Sequence, residues 1–298
     1  MMTNFQFQST LKNKVIIILA LFFLGLCVAS VMMAMLLRWN GNTAQVVLGA
    51  TLAQDVLAFM LPAMACVALC GRRPAQALRL DGKLTLAGVL AVVAVYFLSL
   101  PAMNYVIDWN KGMALPQCLG AVEQWIRQSE DMAAKQTQML LDQKSFGAFA
   151  YTFFVVAIMA GVSEEMFFRG AWQNFIFSPK MRSGAAIWLT AFIFSFIHLQ
   201  FFGFVPRLLL GAWLGYLLVW SRSLWLPVLA HVLNNGVVVA VAYLSRLGLL
   251  PDKDIDTLGL PMHGEFPWLA LASALATTAV IWLLRRHFKR QHQEGGLV

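Results

Sequence analysis

The chain has 298 residues, of which 60% are hydrophobic and only 12% charged, with a formal net charge of +8. Soluble domains carry roughly 25% charged residues, so this composition excludes a water-soluble globular protein. The basic residues fall in short clusters between apolar runs and not along one face. That distribution excludes a nucleic-acid partner and fits charges flanking segments buried in a lipid bilayer.

In chain order, Lys12 and Lys14 precede an apolar run over 15–37. The run exceeds the roughly 7–15 apolar residues of a signal-peptide core, and no small-x-small cleavage site follows it, so it reads as an uncleaved signal anchor. Further runs near the ~20 residues needed to span a bilayer occur at about 46–70, 84–106, 146–177, 184–203, 205–221, 224–247 and 266–284. The expected fold is therefore all-α, a polytopic integral membrane protein with about eight transmembrane helices. Cysteine usage sets up no disulfide framework: Cys27 and Cys118 stand alone, and Cys66 and Cys70 are an i,i+4 pair suited to packing.

Between the third and fourth spans, residues 108–145 alternate differently. Leu119, Val122, Trp125, Ile126, Met132, Ala133, Met139 and Leu140 recur at helical spacing, with Glu123, Arg127, Glu130, Asp131 and Lys135 between them. This predicts an amphipathic helix on the outer membrane surface, serving as a cover for helix ends more than as the roof of a cavity. Lysine and arginine collect on one side of the membrane at positions 12, 14, 72, 73, 79, 83, 180, 182, 222, 285, 286, 289 and 290. The opposite side holds fewer, half of them in the long 108–145 loop, which places both termini in the cytoplasm.

Ionisable groups are expensive inside a bilayer and are functional candidates wherever they occur. The segment Ser163-Glu164-Glu165-Met166-Phe167-Phe168-Arg169 puts two carboxylates and an arginine inside an apolar run. Downstream, Phe194-Ser195-Phe196-Ile197-His198 and His231-Val232-Leu233-Asn234-Asn235 add two imidazoles and two amides. Glu164 and His198 are equidistant from Met181 in the intervening turn, so in an antiparallel hairpin rising about 1.5 Å per residue they sit level. His231, counted from the Arg222 turn, lies about two helical turns shallower and meets them only if a helix bends or a turn sits high.

Such a cluster suits hydrolysis. A desolvated glutamate is a base toward water, a neutral histidine holds the water or moves its proton, and histidine or asparagine N–H groups can donate to an oxyanion. Arg169 is i+4 from Glu165 and pairs with it most easily, leaving Glu164 for chemistry. Glu164, His198 and His231 would equally suit a zinc ion with an open position for water. His231 and Asn235 share a helix face, and Asn234 competes as the partner. Asp55, alone in the second span, reads as a packing residue or one near the outer interface. His263, His287 and His292 fall in loops or the tail and carry no expected role.

Taken together, Glu164-Glu165-x-x-x-Arg169, Phe194-x-x-x-His198 and His231-x-x-x-Asn235 resemble the CAAX prenyl protease and bacteriocin-processing family of intramembrane proteases, also called the Abi family. The resemblance covers about 146–247. It implies an eight-helix fold with its active site inside the bilayer. Glu164 would activate water with help from His198, His231 and Asn235 would polarise the scissile carbonyl, and Glu165 and Arg169 would support the site. Members are described both as zinc enzymes and as glutamate proteases, so the resemblance leaves the metal open.

On this reading the chain is one membrane domain, 1–298. Three helices occupy 1–107, an extracytoplasmic amphipathic segment 108–145, the catalytic core 146–250, and a loop, last helix and basic tail 251–298. The expected activity is endopeptidase cleavage of a membrane-associated peptide or protein in a bacterial inner membrane. The compactness of the chain reads as bacterial, and bacteria in general lack prenylated CAAX tails. The alternative is a non-catalytic immunity or scaffold protein that binds a peptide or partner with the same fold.

Overall fold

The computed structural model describes residues 10–143, 145–250, 257–261 and 265–294. Lys144, Lys253 and His263 lie outside the described residues. Nine principal helices follow in order: α1 (Leu11–Asn40), α2 (Ala44–Leu69), α3 (Leu86–Lys111), α4 (Gly120–Leu141), α5 (Phe146–Phe177), α6 (Ser183–Phe196), α7 (Phe201–Ser221), α8 (Trp225–Arg246) and α9 (Trp268–Glu294). Several starts follow from capping chemistry: Thr43, Thr85 and Ser145 accept from the backbone N–H three residues on, at the heads of α2, α3 and α5.

Seven of these helices are long and apolar enough to cross a membrane. The chain is a polytopic all-α membrane protein. The expected eighth span is corrected in one respect, because α6 has 14 residues and stops at Phe196. Leu199 then adopts a left-handed backbone (φ 53°) and the chain turns back through Gln200 into α7. Non-helical backbone at membrane depth is tolerated where it is enclosed by protein or lines a wet cavity.

Helix α5 is the centre of the bundle and packs against α2, α6, α7 and α8, while α3 pairs with α9 and α1 with α2. One aromatic chain runs through this core. Phe22 and Phe59 both meet Phe167 (ring centroids 5.3 and 5.4 Å), and Phe168 meets Phe194 at 5.2 Å. The described ends lie on one face: Lys14 donates to the Phe175 carbonyl near the end of α5, and His292 contacts the Trp220 carbonyl near the end of α7.

The amphipathic segment forms α4, mostly exposed, on the opposite face. Arg127 and the Leu115 amide hold the Glu123 carboxyl below the usual glutamate range, closing the loop that leads into the helix. Glu130 accepts from the Phe202 backbone N–H at 2.7 Å, and Arg127 lies over the Phe202 ring. Helix α4 also lines a cavity of about 1290 Å³ with Arg207 and Asn234. It is therefore a roof as well as a cover, which corrects the expectation from its pattern alone. Periodicity shows which face is apolar but not what lies beneath it.

Helices α5 and α8 approach closely at Gly161. A Cβ there would stand 2.8 Å from Val232 Cγ2 and 3.3 Å from the Val232 nitrogen. Gly161→Ala is expected to destabilise the bundle by about 1–3 kcal/mol through overpacking. Thermal unfolding in detergent should show the loss, and Val232→Ala in the same chain should reverse most of it. Equal melting of the single and double variants would show that this contact does not set the helix spacing.

Candidate active site

Helix α5 carries Glu164 and Glu165 into different surroundings. The Glu165 side chain is fully buried. Its Oε1 accepts from Arg169 Nη1 at 2.7 Å and from His231 Nδ1 at 2.8 Å. Arg169, also fully buried, donates through Nη2 to the Gly211 carbonyl at 3.1 Å and lies over the Phe194 ring. One helical step on, Gln173 donates to the Gly215 carbonyl. The two side chains thus clasp successive turns of α7 from α5, and the pairing of Arg169 with Glu165 expected from i,i+4 spacing is found.

The Glu165 contact orients His231. Because a carboxylate only accepts, Nδ1 carries the proton and Nε2 is the nitrogen turned toward the chemistry. That Nε2 lies 3.9 Å from Glu164 Oε2, while the Glu164 side chain keeps 17% of its surface exposed. A water can bridge two groups at this separation. Glu164 is thus the accessible carboxylate and Glu165 the enclosed one.

His198 lies just beyond the end of α6. Its Nδ1 donates to the Phe194 carbonyl at 2.7 Å, which fixes the neutral ring with Nε2 as acceptor. Glu164 is within electrostatic reach of His198, His231, Arg207 and Asp55. Phe194 separates the two histidines, its ring 5.1 Å from His198 and 6.0 Å from His231. It is a wall of the site that the sequence presented only as part of a motif.

The depth mismatch at His231 has two physical sources. Residues Met166–Phe177 of α5 are π-helical. A π-helix bonds i to i+5 and puts more residues in each turn, so Glu165 lies shallower than an α-helical count places it. The start of α8 is also held by the 79–82 turn: Leu224 N–H donates to the Arg79 carbonyl and Trp225 Nε1 to the Leu80 carbonyl.

Asn235 commits its amide to the packing of α8. Its Nδ2 donates to the Val156 carbonyl at 3.0 Å, and its Oδ1 accepts from Asn234. It ties α8 to α5, and Asn234 is the amide that lines the cavity. Asp55 is also placed differently from the interface reading. It is 3% exposed, within electrostatic reach of Glu164, with Oδ2 unpartnered, which fits the packing reading and not the interface one. A single aspartate in a span carries no sequence signal of what it faces, so this third carboxyl was not visible in advance.

Zinc on Glu164, His198 and His231 requires those donors to converge. Among the described residues no group of three histidine, cysteine, aspartate or glutamate side chains does so. Both rings donate through Nδ1, His231 to Glu165 and His198 to the Phe194 carbonyl, which leaves each Nε2 able to bind a metal. It is the lack of a third converging donor, as the side chains are placed, that does not fit the ion, and no step below is routed through it.

Residues 146–237 match the family model described as type II CAAX prenyl endopeptidase Rce1-like, a segment that contains every polar residue of the three motifs. No curated protein and no solved structure matches the chain.

Proposed function

We propose, from the premise that residues 146–237 belong to the Rce1-like CAAX endopeptidase family, that this chain hydrolyses a peptide bond of a membrane-associated peptide or protein. One observation carries the reading. His231, clamped through Nδ1 by the Glu165–Arg169 pair, presents Nε2 3.9 Å from the Oε2 of a second, more accessible carboxylate, Glu164.

In the step this arrangement supports, Glu164 takes a proton from a water held between it and the imidazoles. The water oxygen attacks the scissile carbonyl, the C–N bond breaks, and the proton passes to the leaving amine. His198, with Nε2 as acceptor, assists in holding the water. His231 is the nearest N–H source for the oxyanion once its ring has taken up a proton. The excess of basic residues on the face bearing the termini supports cytoplasmic termini, and we assign the chain to a bacterial inner membrane.

The test is turnover of membrane peptides by the purified full-length protein in proteoliposomes run in ¹⁸O-labelled water. We expect cleavage at an internal bond with one labelled oxygen in the new carboxylate. A folded protein that cleaves none of a broad peptide pool would overturn the reading. Because Glu164, His198 and His231 do not converge as placed among the described residues, activity is also expected to survive extensive dialysis against a chelator. Loss on dialysis, restored by zinc alone, would mean that the three donors converge on a metal during catalysis.

A further inference from the structure

The α4-roofed cavity contains a cation that the chemistry above does not use. Arg207, in the first turns of α7, lines its wall with Gln200, Gly203 and Asn234. Its Nη2 donates to Gln200 Oε1 at 2.5 Å. Its Nη1 is buried and has no hydrogen-bond partner. Leaving a buried charged donor without an acceptor costs several-fold more than an ordinary lost hydrogen bond returns. The guanidinium lies against Gly203, where an added Cβ would stand 3.1 Å from Nη2.

Of the other charges on this wall, two are paired with each other. Arg246 pairs with Asp142 at 2.9 Å, while Glu130, whose Oε1 accepts from the Phe202 N–H, is a carboxylate within electrostatic reach of Arg207 but makes no hydrogen bond to its Nη1. Lys111 is the other cation of the lining. The cavity therefore offers positive charge and an unfilled donor close to the proposed base, as Arg207 is within electrostatic reach of both Glu164 and His198.

We infer that Arg207 is a specificity-determining residue whose guanidinium seats a carboxylate of the substrate through Nη1, a few residues from the scissile bond. Arginine is suited to this role because its planar fork matches a carboxylate and stays charged throughout. The carboxylate comes from either a free C-terminus or an acidic side chain of the same peptide. The inference rests on the protease reading and deepens it: Glu164 and the histidines cut, and Arg207 selects what is presented.

The test uses one internally quenched peptide that carries a free C-terminus and a single glutamate beyond the scissile bond. Three neutralised forms accompany it: the C-terminal amide, the Glu→Gln peptide, and both changes together. We expect the wild-type protein to show a KM about 10- to 100-fold higher on the forms lacking the recognised carboxylate, with kcat little changed. Arg207→Gln should show that raised KM on all four peptides alike. Arg207→Lys, which keeps the charge and guards against misfolding, should fall between. Which neutralisation matters identifies the source of the carboxylate. Wild-type protein that cleaves all four peptides with one KM would overturn the role of Arg207 and leave the protease reading standing. So would an Arg207→Gln defect confined to kcat. Cleavage of none of them would count against the protease reading itself.

Discussion

Glu164→Gln is expected to leave the protein folded and to lower turnover by about 10²–10⁴-fold, the range that a positioned general base supplies. The amide is nearly isosteric and cannot take a proton from water. The side chain sits at the edge of the packed core, 17% exposed, so the change removes a function without opening a cavity. Turnover and thermal unfolding, measured on the same preparation, check both halves. Full activity in Glu164→Gln would end the case for glutamate-activated water. An unchanged cellular phenotype together with absent proteolysis would instead favour an immunity or scaffold protein that binds its partner through the same helices.

A second large effect is expected at the pair beneath the site. Arg169→Met should destabilise the protein by about 3–5 kcal/mol, because it leaves Glu165 as an uncompensated buried charge. Adding Glu165→Gln to the same chain should recover much of that loss, since two neutral groups of similar volume need no counter-charge. Activity should not return with stability, because His231 Nδ1 then donates to an amide oxygen and loses its charged anchor. Unfolding midpoints and turnover of the two single variants and the double variant close the cycle. Strict additivity in stability would mean that Arg169 and Glu165 are not the coupled pair that their 2.7 Å contact implies.

Much of this site was legible before any coordinates. Two carboxylates and an arginine in an apolar run stand out because the bilayer makes each of them costly. The i,i+4 relation picked Glu165 over Glu164 as the Arg169 partner, and equal counts from Met181 pointed to Glu164 and His198 as neighbours, which lie within electrostatic reach. His231 was expected to meet the carboxylates only if a helix departed from regular α geometry or a turn sat high, and nothing in the sequence of Met166–Phe177 announces the π-helix found there. Asn235 shared the right face with His231, but the same face also meets Val156, and periodicity does not rank two neighbours on one stripe. The eighth span was drawn through 197–203 because those residues are apolar enough. The break there is set by a left-handed Leu199 and by packing with α4, neither of which hydropathy records.

If the chain cleaves as proposed, that break would make it a ruler. Fourteen residues of α6 reach about 21 Å into a hydrocarbon layer about 30 Å thick, and His198 stands at the tip. On the protease reading, with the start of α6 at the hydrocarbon edge, the cutting plane would lie off-centre, about 9 Å or some six helical residues from the face that carries α4. A substrate that spans the membrane would leave most of its apolar length attached to the fragment on the side of the chain termini. The shorter fragment, with too little hydrocarbon to stay anchored, would be free to depart on the α4 side.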